Sequence, residues 1–136
     1  MQIKHILNLI LFSILALVLF ACGAGSDTNN ASTSMAVSQT NCNQMHSTGN
    51  SCTISITFAA DSTTTLSIIR PPAPYNTTAS SSTCDSYIGT NTQVNGSGSC
   101  TYTITCASCT SEQTPASNLG LVFNGVNYNN QTAISY

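Results

Sequence analysis

The two cysteines of the segment CASC, Cys106 and Cys109, have the spacing of a dithiol redox motif. In such a motif the first cysteine is a reactive thiolate, because the start of a helix or a nearby basic group lowers its pKa. Here the pair follows a predicted strand and precedes a polar loop, and no basic residue lies nearby in the sequence. We therefore expect a structural disulfide role, with thiol-redox chemistry as the alternative.

Other side chains that could do chemistry are few and scattered. His46 lies between Cys42 and Cys52, but zinc ligands usually come in closely spaced pairs and exported cysteines are usually oxidised. From residue 42 onward the carboxylates stand singly, at Asp61, Asp85 and Glu112. Nothing groups a nucleophile with a base or singles out a carboxylate pair. The sequence therefore predicts no catalytic residue, no metal site and no cofactor.

Rows of hydroxyl side chains could form a binding surface. Alternation in two predicted strands places these hydroxyls on one face of each strand, where they could contact sugars or an ordered layer of water. Threonine is also a favourable residue on the wet face of any strand, and this structural explanation is the favoured one. The residues concerned are Thr53, Ser55 and Thr57 in one strand and Thr101, Thr103 and Thr105 in the other.

The composition excludes some partners. Only 4% of the 136 residues are charged, against about 25% in a typical soluble domain. If the chain is cleaved before Cys22, Lys4 is lost and Arg70 remains as the one Lys or Arg beside four carboxylates, a net charge of −3. Binding to nucleic acid or to anionic lipid depends on Lys and Arg. We therefore expect no nucleic-acid partner.

The N-terminal segment is typical of an export signal. An apolar stretch runs from Ile6 to Phe20 and is interrupted only by Asn8 and Ser13. It is short for a transmembrane helix, which needs about 20 apolar residues, and small residues rather than basic ones follow it. We therefore predict that residues 1–21 are a signal peptide.

The end of this segment, Leu19, Phe20, Ala21 and Cys22, resembles the lipobox of bacterial lipoproteins, with Phe20 in place of the usual Ala or Ser. The resemblance covers only the leader. It implies cleavage before Cys22 and acyl chains such as palmitate on that residue, and two or three chains anchor a protein stably where one is marginal. Gly23 instead of Asp after the cysteine implies the outer rather than the inner membrane.

The cysteine count agrees with lipidation of Cys22. The chain has seven cysteines, and removing Cys22 leaves an even set that suits three disulfides. Exported compartments are oxidising, and each disulfide stabilises a small domain by about 2–4 kcal/mol. The six cysteines predicted to form disulfides are Cys42, Cys52, Cys84, Cys100, Cys106 and Cys109.

The pairing of these six cysteines stays open between two sets. Cys100 and Cys106 lie about 20 Å apart on one extended strand and cannot pair with each other. If the segment NGSG, residues 95–98, turns a hairpin, Cys84 falls opposite Cys109. That pair is the first choice, with the first two cysteines reaching Cys100 and Cys106. The alternative set is entirely local: Cys42–Cys52, Cys84–Cys100 and Cys106–Cys109.

Period-two alternation predicts an all-β domain. The segments CTISITFA and CTYTITC, which begin at Cys52 and Cys100, alternate apolar and polar residues as half-buried strands do. TLSII is a third candidate strand, the prolines of RPPAPY indicate an extended crossing loop, and Asn124–Gly125 predicts a two-residue hairpin turn. We expect a flexible tether over residues 22–41. Residues 42–136 are predicted to form a small, disulfide-linked antiparallel β-sandwich of immunoglobulin-like architecture.

Together these features predict a lipid-anchored lipoprotein of the bacterial envelope, with the outer membrane favoured. Its expected role is non-enzymatic: a binding, adhesion or structural module attached to the membrane through lipid on Cys22, with a protein or glycan as its ligand. The alternative is an exported enzyme or thiol-redox protein that uses Cys106 and Cys109. The identity of the ligand and the oligomeric state do not follow from the sequence.

Overall fold

The computed structural model describes residues 33–110 and 116–135. The predicted signal peptide and Cys22 lie outside these ranges. The described elements are β1 (Ser34–Thr40), β2 (Ser51–Ala60), β3 (Thr65–Ile69), β4 (Tyr75–Ala79), a short helix α1 (Ser82–Asp85), β5 (Thr92–Gln93), β6 (Gly96–Cys106), β7 (Ser117–Asn118), β8 (Gly120–Phe123), β9 (Val126–Asn127), a 3₁₀ turn (Asn129–Gln131) and β10 (Ala133–Ile134).

The strands form two four-stranded antiparallel sheets. Sheet 1 has the order β1-β2-β6-β4, sheet 2 has the order β5-β3-β8-β9, and β10 pairs with β7 in a small third ladder. Seven principal strands remain when β5, β7 and β10 are left out. Lettered A to G in chain order, they give the order A-B-E-D in sheet 1 and C-F-G in sheet 2. This is the connectivity of an immunoglobulin constant-type sandwich. The predicted fold class is confirmed.

The core lies between the two sheets and follows the alternation seen in the sequence. On β2 the residues Ile54 and Ile56 are fully buried, and Ile104 on β6 is buried as well. From sheet 2, Leu66, Ile68, Leu121 and Phe123 belong to the same core. The rings of Phe58 and Phe123 lie 6.1 Å apart, centroid to centroid, and so join the two sheets. Burying one face of each strand against the other sheet removes apolar surface from water and stabilises the sandwich.

One polar side chain of the core is Tyr102, whose ring is fully buried. Its hydroxyl donates a hydrogen bond of 2.9 Å to the carbonyl of Cys84. Burial raises the pKa of Tyr102 well above its ordinary value. The hydroxyl therefore stays protonated and keeps its role as a donor across the accessible pH range.

The predicted hairpin at Asn124–Gly125 is confirmed. Both residues have positive φ, 48° and 76°, as a type I′ turn requires. Phe123 pairs with Val126, and the Tyr128 amide donates to the Leu121 carbonyl at 2.8 Å. Val126 is nevertheless 55% exposed, because β9 is the edge strand of sheet 2 and the core covers it only in part.

The predicted tether is wrong over its last residues. Ser34–Thr40 forms β1 and pairs antiparallel with β2 along its whole length. Only Met35 and Val37 give this segment an apolar alternation, and both are half-buried. So weak a local pattern does not predict a strand; pairing with β2 supplies the missing stability. The remaining tether residues, 22–32, lie outside the described residues.

The predicted hairpin at NGSG is also wrong. Residues 96–98 belong to the long strand β6, which pairs with β2 from Gly96 to Thr105. Thr92–Gln93 instead pairs with β3 in sheet 2. Gly96, with φ of 79°, lies where the chain passes from one sheet to the other. The turn residues therefore mark a crossover between sheets rather than a hairpin.

Two buried threonine hydroxyls differ in their partners, and we expect opposite effects on replacing them by valine. Thr132 Oγ1 donates to the carbonyls of Leu119 (2.6 Å) and Asn129 (2.9 Å). Among the described residues Thr77 Oγ1 is buried without a hydrogen-bond partner. Thr132→Val is expected to lower the free energy of unfolding by about 1–3 kcal/mol, because it leaves a buried carbonyl without its hydrogen-bond donor. Thr77→Val is expected to be neutral or stabilising. Urea denaturation of both variants tests this, and equal losses would contradict it.

The turn between β2 and β3 predicts a pH dependence of stability. The Asp61 carboxylate accepts hydrogen bonds from the Thr63 amide (2.9 Å), the Thr63 hydroxyl (2.8 Å) and the Thr64 hydroxyl (2.9 Å). The bonds from Thr63 chiefly hold the pKa of Asp61 below its ordinary value of 3.8. A lowered folded-state pKa means that the stabilisation is present above 3.8 and is lost as the pH falls through the folded-state pKa. The wild type should therefore be more stable than Asp61→Asn near neutral pH, and this difference should shrink as the pH falls from about 5 to about 2. Thermal unfolding of both proteins over this pH range measures it. A constant difference would contradict it.

Candidate functional site

All three disulfides of the domain are local. Cys42–Cys52 joins the end of β1 to β2, Cys84–Cys100 joins α1 to β6, and Cys106–Cys109 closes the turn after β6. Their Cα–Cα distances are 4.5, 5.6 and 5.7 Å, respectively. The first-choice pairing of Cys84 with Cys109 is wrong, because it depended on the NGSG hairpin. The local alternative is the observed one.

The Cys106–Cys109 pair lies in a setting that suits a structural disulfide. Cys106 and Cys109 are only 1% and 5% exposed, and the pair follows a strand instead of starting a helix. The backbone around it is held as well, since the Gly49 amide donates to the Cys106 carbonyl at 2.9 Å. A redox-active cysteine needs access for the attacking thiol and a group that lowers its pKa. The burial of both residues therefore favours stabilisation over exchange.

The candidate acid–base and metal residues each lie in their own surroundings. Asp85 forms an exposed ion pair of 3.1 Å with Arg70, and Asp61 is held in the β2–β3 turn. Over residues 33–110 and 116–135, no group of three or more histidine, cysteine or acidic residues is placed to hold a metal ion. Glu112 lies outside these ranges. The described carboxylates thus serve a turn and a surface ion pair.

The sandwich joins the two predicted hydroxyl rows into one surface, which we call the hydroxyl face. It is the outer face of sheet 1. Thr53 on β2 lies opposite Thr103 on β6, and Thr103 in turn lies opposite Thr78 on β4. The Ser55 and Thr101 hydroxyls are 3.2 Å apart and hydrogen-bonded. The members of the hydroxyl face are Ser34, Ser38, Thr40, Ser51, Thr53, Ser55, Thr57, Asn76, Thr78, Ser97, Ser99, Thr101, Thr103 and Thr105.

The hydroxyl face is regular and uncharged. Neighbouring strands lie about 4.8 Å apart and side chains on one face repeat about every 6.7 Å along a strand, so the hydroxyls form a two-dimensional array. The charged residues that the structure describes, Asp61, Arg70 and Asp85, lie outside this array: they are in the β2–β3 turn, after β3 and in α1, respectively. Each hydroxyl can both donate and accept a hydrogen bond. The surface therefore suits a partner that is itself neutral and rich in hydroxyl groups.

A cavity of about 220 Å³ lies beside the Cys84–Cys100 disulfide. β4 pairs with β6 only from Tyr102 to Cys106, so the first residues of β6 extend beyond the end of β4. The segment that contains α1 faces this free stretch and closes the cavity. Its lining includes Phe58, Tyr87, Ser81, Thr83, Ser97 and Ser99. The sequence does not predict this cavity, because NGSG indicates a turn and nothing links it to residues 81–87.

Within the described ranges, no helix has the length and apolarity needed to cross a bilayer. Comparison with known proteins gives no match to a family model, a curated protein or a solved structure.

Proposed function

We propose that the protein is a lipoprotein of the bacterial envelope or surface, anchored by lipid on Cys22, that acts as a binding or adhesion module. The outer membrane is the favoured location, because Gly23 follows the cysteine. The disulfide pattern supports the anchor. All six other cysteines pair with one another, so Cys22 is left for a different use, and the lipobox-like sequence suits acylation.

The hydroxyl face carries the binding part of the proposal. An uncharged surface gives no affinity for nucleic acid or anionic headgroups, which depend on basic side chains. An array of serine and threonine also lacks the aromatic and apolar residues that dominate most protein–protein interface cores. Hydroxyl groups that donate and accept match the hydroxyl groups of a polysaccharide. We therefore favour a neutral glycan as the partner.

The binding test uses the full chain in detergent micelles and three neutral matrices: cellulose, chitin and cross-linked dextran. We expect retention on at least one matrix. Thr103→Lys should reduce that retention about tenfold or more, because a lysine at the centre of the hydroxyl face must lose its hydration when a neutral partner docks. Val126→Lys is the matched control, since it adds the same charge at an exposed position of sheet 2 and should leave retention unchanged.

Two results would overturn the binding role. One is the absence of retention on all three matrices; the other is equal retention of wild type and Thr103→Lys. Thermal unfolding of both lysine variants verifies that each is folded at the temperature of the assay.

The anchor has its own test, the intact mass and non-reducing peptide map of the protein produced in a bacterium. We expect cleavage before Cys22, acyl chains on Cys22 and three local disulfides. Cys22→Ala should move the protein from the membrane fraction to the soluble fraction. An unmodified Cys22 with the leader still attached, or a disulfide that involves Cys22, would overturn the anchor.

A further inference from the structure

β1 is the longest edge strand of the two described sheets. Sheet 1 ends in β1 on one side and in β4 on the other, and sheet 2 ends in β5 and β9. β1 has seven residues and β4 has five, whereas β5 and β9 have two each. An edge strand presents a row of unpaired backbone N–H and C=O groups, to which another strand can add. β1 therefore offers the most backbone for such pairing.

β1 also lacks the features that normally prevent pairing at an edge. Natural sheets protect their edges with lysines, prolines, bulges or very short strands. β1 contains no charged residue and no proline, and its one-to-one register with β2 contains no bulge. Five of its seven residues are exposed, while Met35 and Val37 are half-buried against the core. The free side of β1 is thus open to a further strand.

We propose that two copies of the protein pair through β1, antiparallel and about a two-fold axis at Val37. Since Val37 is the middle residue of Ser34–Thr40, this is the one antiparallel register that pairs all seven residues. Val37 lies opposite the second copy's Val37, and Ala36 lies opposite the second copy's Ser38. Because β1 is uncharged, the two strands meet without the like-charge repulsion that destabilises a strand pair.

The position of the anchor favours a second copy over an unrelated strand. Lipid on Cys22 holds the copies on one membrane, and this confinement raises their effective concentration. In the antiparallel pair the two Ser34 residues lie about 20 Å apart, at about 3.4 Å per residue. The eleven residues 23–33 separate Cys22 from β1 and can span up to about 40 Å. Both anchors can therefore reach one membrane while the strands are paired.

Pairing enlarges the hydroxyl face without covering it. The new hydrogen bonds lie in the plane of the sheet, so β4-β6-β2-β1 of one copy continues into β1-β2-β6-β4 of the other. The outer faces of both copies join into one eight-stranded surface, and two linked faces hold a long polymer more tightly than one. The inference goes beyond the proposed glycan binding and does not depend on it, since the edge of β1 is free whatever the face binds.

The test compares two double variants of β1 by sedimentation equilibrium of the full chain in density-matched detergent micelles. Wild type should show a reversible monomer–dimer equilibrium. Ala36→Lys/Ser38→Lys places lysine opposite lysine twice across the two-fold axis, whereas Ala36→Lys/Ser38→Glu places lysine opposite glutamate twice. Like charges directly opposite each other destabilise a strand pair, and opposite charges stabilise it. The dissociation constant of the dimer should therefore be about tenfold or more higher for the lysine–lysine variant than for the lysine–glutamate variant.

The lysine–glutamate variant is the matched control. Both variants change the same two exposed positions and keep the same anchor, so chance sharing of a micelle affects them equally. Thermal unfolding verifies that both are folded.

The inference fails if wild type stays monomeric, if the lysine–lysine variant dimerises as wild type does, or if the two variants have equal dissociation constants. Assemblies larger than a dimer also contradict it, because a two-fold pair closes on itself. A monomeric wild type that is still retained on a glycan matrix leaves the binding role standing and removes only the dimer.

Discussion

Phe58→Ala is expected to lower the free energy of unfolding by about 3–5 kcal/mol, the largest effect of any single substitution considered for this protein. Phe58 is 7% exposed and contacts both Phe123 in sheet 2 and Tyr87 after α1. Its removal leaves a void where the two sheets and the α1 segment meet. Guanidinium denaturation measures the loss. Val126→Ala, at an exposed position, serves as the control and should change stability by less than about 0.5 kcal/mol.

The residue opposite Phe58 provides a second check. Gly98 is the cross-strand partner of Phe58, and a Cβ on Gly98 would overlap the Phe58 ring. Gly98→Ala should therefore cost about 1–3 kcal/mol in the wild-type background, because the ring must move. In the Phe58→Ala background that cost should largely disappear. Additive losses in the double variant would contradict the packing of this ring on Gly98.

Replacing Cys84 and Cys100 together by alanine is expected to lower the free energy of unfolding by about 3 kcal/mol. The bond spans 16 residues, the longest separation of the three, and a disulfide that closes a longer loop removes more entropy from the unfolded chain. The same argument gives about 2 kcal/mol for Cys106–Cys109, whose separation is 3 residues. Chemical denaturation without reductant measures both losses.

The Cys106→Ala/Cys109→Ala variant is thus the matched control for removal of the Cys84–Cys100 disulfide. Both double variants remove two buried cysteines, and they differ mainly in the length of the loop that is released. A loss for Cys106–Cys109 that equals or exceeds the loss for Cys84–Cys100 would show that native-state packing, rather than loop entropy, dominates. The loss of unfolding free energy in Thr132→Val, measured in urea, shows what one buried hydrogen bond contributes, and both disulfide losses can be compared with it.

Several features of the fold could be predicted because they depend on adjacent residues. The alternation from Cys52 to Phe58 and from Cys100 to Cys106 shows which side chains face the core. Asn124–Gly125 has the φ preferences of its turn. β3 has the predicted bounds Thr65–Ile69. In each case the physical preference acts within a few residues, so the sequence pattern carries it.

Other features could not be predicted because they depend on partners far along the chain. The segment Ser34–Thr40 becomes a strand only through its pairing with β2. The glycines of NGSG suit a hairpin and a crossover equally well, and the ten-residue ladder with β2 selects the crossover. The disulfide pairing followed from that choice, since the crossover places Cys100 next to α1.

The candidate site likewise has features that the sequence predicts and features that depend on distant parts of the chain. The sequence by itself determined the strand periodicity, the two hydroxyl rows, the scarcity of charge and the even set of cysteines, since these are properties of residue type and spacing. Only the tertiary structure decided that the two rows lie side by side and that residues 81–87 close a cavity against the free end of β6. The physical reason is that both arrangements depend on pairing between strands and segments distant in sequence, which local preferences do not encode.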